Sequence, residues 1–225
     1  KYLYEILSLK NRSSYNLTLV KKDEKIILNY LKEKGYYFSN INSSYQDLNE
    51  NKIDLFYKID LGEKAKISKI TFIGDKKFKD AALRNVIVSE EYKFWKFISG
   101  KKYLNENLID YDKRLLNNFY KNKGYYKAEI NSSFASYLGN NEFEVTYNIS
   151  AGKKFFFNKF DLNLPIDFNA DNFDKLNNIF EELKGKNYSL YSINTILKEI
   201  DNIVLNKQFE FLNSTVKEQI KGNLI

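Results

Sequence analysis

The 225-residue chain contains no cysteine, no histidine and no methionine, and only one proline. Without cysteine there is no disulfide framework, no thiolate nucleophile and no CxxC zinc site. Without histidine there is no Ser–His–Asp triad, no HExxH metal site and no imidazole acid–base chemistry. An enzyme built on this chain would have to use carboxylates, lysine or tyrosine alone. No phosphate-cradling glycine loop is present, no paired carboxylates gather around one pocket, and the reading is of a non-enzyme with no cofactor and no metal. No run of 18 apolar residues exists, so no segment reads as a membrane-spanning helix. The absent initiator methionine suggests a piece of a longer protein.

Lysine plus arginine is 36 against 29 acidic residues, a net charge of +7. Only Arg12, Arg84 and Arg114 are arginines. Phosphate and base recognition favours the bidentate arginine fork over lysine. Abundant Lys, Asn, Ile, Tyr and Phe with scarce Ala, Gly, Pro and Arg matches codon bias on a solvated surface. A basic nucleic-acid-binding repeat protein is kept as an alternative from another class, and no nucleic-acid partner is expected.

What is present is a repeat. YLKEKGYYFSNINSS at 30–44 and FYKNKGYYKAEINSS at 119–133 share nine of fifteen positions at an offset of 89. NKIDLFYKIDLG at 51–62 aligns with NEFEVTYNISAG at 141–152 at an offset of 90. A more diverged third copy aligns GKKY at 100–103 with GKNY at 185–188.

The middle copy is read first because it is whole. Residues 66–74 alternate as a strand closed by Gly74-Asp75. A short helix near 79–87 turns Ala81, Ala82, Leu83 and Val86 inward. A loop carries FWKFISG at 94–100. A second helix over about 106–122, with Asn105 as N-cap, recurs apolar at Leu108, Tyr111, Leu115, Leu116, Phe119 and Tyr120. Asp112 falls on that same face and is its exception. Gly124 stops the helix. Two strands follow: Tyr125–Ala135, with Tyr126, Ala128, Ile130 and Phe134 on one side, and one with Phe143, Val145, Tyr147 and Ile149 inward.

The order β-α-α-β-β predicts an α+β fold of tandem small two-layer domains. Each is a three-stranded mixed sheet covered on one face by two helices. The expected units are 1–63, lacking its first strand, a complete 64–153, and 154–225, lacking its last. In copy one, a short-helix remnant at 1–9 precedes a helix at 17–34, ended by Gly35, and strands at 36–45 and 53–60. In copy three a strand at 155–164 precedes helices at 171–184 and through Ile193–Val204, then a strand at 209–218. Gln208 stands where Gly124 stands in copy two. The junctions 62–66 and 152–155 read as hinges of limited freedom.

These residues resemble the POTRA (polypeptide-transport-associated) domain, best over 65–152: ITFIGDKKFKDAAL, FWKFISGKKY, FYKNKGYYKAEI and VTYNISAG. The array resembles the periplasmic part of outer-membrane assembly factors of the BamA family, units two to four of five. Autotransporter-assembly or two-partner secretion translocators are the alternative within the family. The resemblance implies a scaffold at the periplasmic face of the outer membrane of a Gram-negative cell. Its partners would be unfolded outer-membrane proteins and accessory lipoproteins, with membrane contact only through a C-terminal barrel. It also implies that the second strand is a free edge for strand addition: Tyr126, Lys127, Ala128, Glu129, Ile130, Asn131, Ser132, Ser133 and Phe134. The equivalent edge of copy one is Tyr37, Ser39, Ile41, Ser43 and Tyr45. Backbone pairing at an edge accepts many clients because it needs no side-chain match. Phe94, Trp95 and Phe97 either seal their loop over the core or form a partner patch.

Overall fold

The computed structural model describes residues 2–48, 50–95, 99–164, 168–206 and 214–225. The chain forms two compact units. One comprises Lys1–Thr71, Ile87–Asp112 and Ser133–Tyr147; the other comprises Phe72–Val86, Lys113–Ser132 and Asn148–Ile225. Among the described residues no helix is long and apolar enough to cross a membrane.

Copy one supplies α1 (Tyr2–Ile6), α2 (Leu17–Glu33), β1 (Asn40–Leu48) and β2 (Lys52–Asp60). Asn16 caps α2 by accepting from the Thr18 and Leu19 N–H groups at 2.8 and 3.3 Å, as an N-cap side chain should. β1 and β2 pair antiparallel, Asn40 opposite Asp60 through Leu48 opposite Lys52. Their turn carries Glu50 and Asn51 at positive φ, and Asn140 and Asn141 repeat this 90 residues on. Two successive left-handed residues are what a tight hairpin between twisted strands needs.

Copy two supplies β3 (Lys66–Asp75), α3 (Asp80–Arg84), α4 (Glu106–Asn122), β4 (Glu129–Gly139) and β5 (Glu142–Ser150). The sheet order is β3-β5-β4. The Lys66 N–H donates to the Asn141 carbonyl at one end, and the Ala151 N–H to that of Asp75 at the other. β3 and β5 therefore run parallel, while the hairpin makes β4 antiparallel to β5. The sheet is mixed, as expected, and β4 is an outer strand. Phe143, Val145, Tyr147 and Ile149 are all buried.

Three facings differ from the sequence reading. Ala81 and Ala82 are exposed, and Leu83 with Ile87 carries the burial, because α3 is only one turn long. Tyr111 is exposed; the inward row of α4 is Ile109, Asp112, Leu116 and Tyr120. On β4, Phe134 is 47% exposed, while Ser133 and Ala135 are half-buried.

Asp112, the exception on an apolar face, is fully buried. Its carboxylate accepts from the Val88 N–H at 2.7 Å, the Ser89 N–H at 3.2 Å and the Tyr147 hydroxyl at 2.8 Å. Copy one repeats this arrangement. Asp23, also fully buried, accepts from the Ser8 and Leu9 N–H groups at 2.6 and 2.9 Å and from the Tyr57 hydroxyl at 3.4 Å. One carboxylate thus ties the loop after the short helix to the last strand through the second helix. Burial and the Asp23 charge push the Tyr57 hydroxyl up to about 12. Burial and Asp112 push that of Tyr147 up as well.

Copy three supplies α5 (Asp174–Leu183) and α6 (Leu190–Asn206). α6 matches the length of α4 at an offset of 84, which places Ile196 where Asp112 stands and Ile200 where Leu116 stands. Ile196 and Ile200 are buried with Phe173 and Leu176. The expected strand at 155–164 reduces to a bridge at Phe156. Phe160 and Leu164 leave the ladder to pack on that helical core. Of the expected strand at 209–218, residues 209–213 lie outside the described residues and 214–218 are irregular. Leu224 instead forms a parallel bridge with Phe156, with the Ile225 N–H donating to the Phe156 carbonyl and the Asn158 N–H to that of Ile225.

Asp112→Ala leaves two backbone N–H groups and a hydroxyl without their buried acceptor. It is expected to cost about 3 kcal/mol or more, with loss of hydrogen-exchange protection at Val88 and Ser89. Unchanged protection there would contradict the latch.

Candidate functional site

The site is built around β4 and the start of α4. Asn105 caps α4, its Oδ1 accepting from the Leu108 N–H at 3.0 Å. Between α4 and β4 lies a groove of about 370 Å³ lined by Leu104, Glu106, Ile109, Asp110, Ser133, Phe134, Ala135 and Phe143, and by Tyr37 from copy one. The Tyr37 hydroxyl donates to Glu106 Oε1 at 3.3 Å. Burial, then the Glu106 charge, pushes that hydroxyl up, so it stays a donor at any ordinary pH.

Rings crowd one rim of the groove. Phe38 lies 5.3 Å from Tyr137 and 6.1 Å from Phe143, centroid to centroid, and Tyr137 lies 5.2 Å from Phe143. Phe38, Phe134, Tyr137 and Leu138 are exposed. The outer strand thus borders on apolar and aromatic surface, with carboxylates at Glu106 and Asp110.

A short chain of backbone hydrogen bonds brings Tyr37 to this groove. Gly35 follows α2 at φ +90. The Gly35 N–H donates to the Lys32 carbonyl and the Tyr36 N–H to that of Leu31, the paired bonds of a left-handed helix stop. The Gly35 carbonyl accepts from the Ala65 N–H at 2.8 Å, and the Ala65 carbonyl accepts from the Leu104 N–H at 2.9 Å. Asn105 Nδ2 adds a bond to the Glu33 carbonyl at 2.7 Å. Tyr37 and Glu106 each sit two residues beyond an end of this relay, and so they meet.

The relay recurs. Gly124, at φ +93, accepts from the Phe155 N–H at 2.8 Å, and the Phe155 carbonyl accepts from the Tyr188 N–H at 2.8 Å. Asn122 Oδ1 accepts from the Tyr191 N–H at 2.7 Å. The GKKY–GKNY alignment therefore slips by one: Leu104 corresponds to Tyr188, and Tyr103 to Asn187.

This relocates part of the expected edge. β4 begins at Glu129 and β1 at Asn40, so Tyr126, Lys127, Ala128, Tyr37 and Ser39 precede their strands. Tyr126 packs on Tyr188 and Phe155 at 4.8 and 5.6 Å, and its hydroxyl donates to Glu218 Oε2 at 2.7 Å. It belongs to the relay and not to the edge. Glu129 through Phe134 do lie on β4, and Ile41, Ser43 and Tyr45 on β1. Phe94 and Trp95 are 72% and 58% exposed, so they do not seal the core; Phe97 lies outside the described residues. The groove residues of α4 escaped the sequence reading because Glu106 and Asp110 look like a solvated helix face and Ile109 falls beside the row taken as inward. The recurrence of Asp23 and Asp112 at the repeat offset was the available signal for the carboxylate latch.

A Cβ at Gly35 would stand 3.1 Å from the Tyr103 Cβ in a backbone conformation that side chains resist. Gly35→Ala is expected to cost about 1–3 kcal/mol and to release Tyr37 from Glu106, read as a fall of the Tyr37 hydroxyl pKa towards its ordinary value in a tyrosine titration. An unmoved Tyr37 titration would contradict its placement by the relay.

The family model POTRA, described as surface antigen variable number repeat, matches residues 1–62 and 65–152. The outer membrane protein assembly factor BamA of Nitratidesulfovibrio vulgaris is 26% identical over 141 residues, 63% of this chain and 17% of that protein. BamA of Neisseria meningitidis serogroup B is 24% identical over 156 residues, 69% of this chain and 19% of that protein. The chain thus spans under a fifth of the length of these relatives. A crystal structure of Haemophilus influenzae BamA POTRA3-5 superposes with a TM-score of 0.51 at 18% identity, covering 99% of this chain and 86% of that one.

Proposed function

The chain belongs to the POTRA family, and from this we propose that it is the periplasmic scaffold segment of an outer-membrane β-barrel assembly factor, with units at 1–63, 64–153 and 154–225. It receives unfolded outer-membrane proteins by strand addition and holds accessory lipoproteins of the same machinery, next to a barrel that carries the membrane contact. The observation that supports this best is the position of β4 as an outer strand beside a groove with exposed aromatic and aliphatic side chains. An outer strand offers a row of backbone donors and acceptors. An incoming barrel strand has the same unpaired groups and alternates apolar with polar side chains. Backbone pairing supplies affinity without a required sequence, and the rim formed by Phe134, Tyr137 and Leu138 favours clients with apolar residues at alternate positions.

Along an outer strand, successive N–H groups point alternately to the neighbouring strand and away from the sheet. Proline deletes one of them. Of Ser136→Pro and Tyr137→Pro, one therefore removes a ladder bond to β5 and the other an outward donor. The variant that keeps native thermal unfolding is expected to lose binding of unfolded barrel peptides in a fluorescence anisotropy titration. Equal peptide binding by that folded variant would sink strand addition at β4.

A further inference from the structure

The groove beside β4 is opposite in sign to the chain as a whole. The chain carries 36 lysines and arginines and a net charge of +7. Among the described residues that line the groove none is basic, while Glu106 and Asp110 stand one turn apart on α4. Both are exposed. Glu106 lies in the first turn of its helix, where the helix dipole favours the ionised carboxylate, and the Tyr37 hydroxyl holds its Oε1. Leu104, Ile109 and Phe143 line the same groove and are buried. Carboxylates and apolar surface therefore adjoin the outer strand of the sheet.

A strand added at β4 turns every second side chain towards the helix side of the sheet. Three kinds of side chain fare differently there. A purely apolar one suits Leu104, Ile109 and Phe143, but it takes water from Glu106 and returns no hydrogen bond. An acidic one meets like charge. A lysine or arginine lays its methylene stem on the apolar surface and brings its charged head to the carboxylate. We propose that the groove receives one lysine or arginine of a client strand, with its stem on Leu104, Ile109 and Phe143 and its cationic head on Glu106, Asp110 adding to the attraction. The proposal rests on strand addition at β4 and gives that addition a charge preference. Glu106 is the residue that sets the preference, and Tyr37 positions it.

The overall field of a chain at +7 attracts anionic peptides, so a preference for lysine runs against that field and reports the groove. Short barrel-strand peptides, identical except for lysine, leucine or glutamate at one position, are titrated against the 225-residue chain by calorimetry. In a second set the varied position is moved by one residue, so that one set faces α4. In that set the lysine peptide is expected to bind about fivefold more tightly than the glutamate peptide, and added salt to narrow the gap. Glu106→Gln is expected to close the gap and Glu106→Lys to reverse it, with thermal unfolding near that of the parent because the position is exposed. Equal binding of lysine and glutamate peptides in both sets overturns the charge preference and leaves strand addition standing. A gap that Glu106→Gln does not change places the cation elsewhere and overturns the assignment to the groove. Binding by none of the peptides overturns strand addition and the preference together.

Discussion

The carbonyl of a helix-ending glycine is the group on which the arrangement of the repeats depends. Gly35 and Gly124 each close a helix in the left-handed conformation, and each carbonyl then accepts from Ala65, the residue before β3, or from Phe155, the residue before the Phe156 bridge. That residue passes the bond on through its own carbonyl to Leu104 or Tyr188. Ala65 and Phe155 are both buried, and a buried backbone group left unpaired costs about 1–3 kcal/mol. The two residues are therefore paired on both sides by necessity. Tyr37 reaches the groove beside β4 as a consequence.

A second constraint acts inside copies one and two. Asp23 and Asp112 bring a charge into an apolar helix face, which is tolerable only because backbone N–H groups and a tyrosine hydroxyl surround each carboxylate. Copy three carries Ile196 at the corresponding place and closes its helices with apolar contacts to Phe173 and Leu176. The helices are thus held by a polar latch in copies one and two and by apolar packing in copy three. A latch fixes one geometry of loop, helix and strand, whereas apolar packing tolerates several.

Much of this was legible beforehand, and the reasons are specific. Nine shared positions around KGYY and the alternation at Phe143–Ile149 gave the repeat and its sheet, because period two and a glycine stop are local signals. Asp112 stood out as a misfit on its helix, although its partners, being distant in sequence, could not be named. Tyr126 and Tyr37 read as edge residues because they begin an alternating run. Tertiary contacts take them instead: Tyr188 and Phe155 hold one, and Glu106 the other. The exposure of Phe134 has no sequence signature. The strand expected at 155–164 failed for a related reason, since Phe160 and Leu164 gain more from the helical core than from a ladder.

Amide hydrogen exchange at Ala65 and Phe155, measured beside residues 62–64 and 152–154, tests the relay most directly. The account predicts that Ala65 and Phe155 are protected to the level of the buried positions of β5, while their immediate predecessors exchange like solvated loop. Exchange of Ala65 and Phe155 at the rate of those predecessors would contradict it.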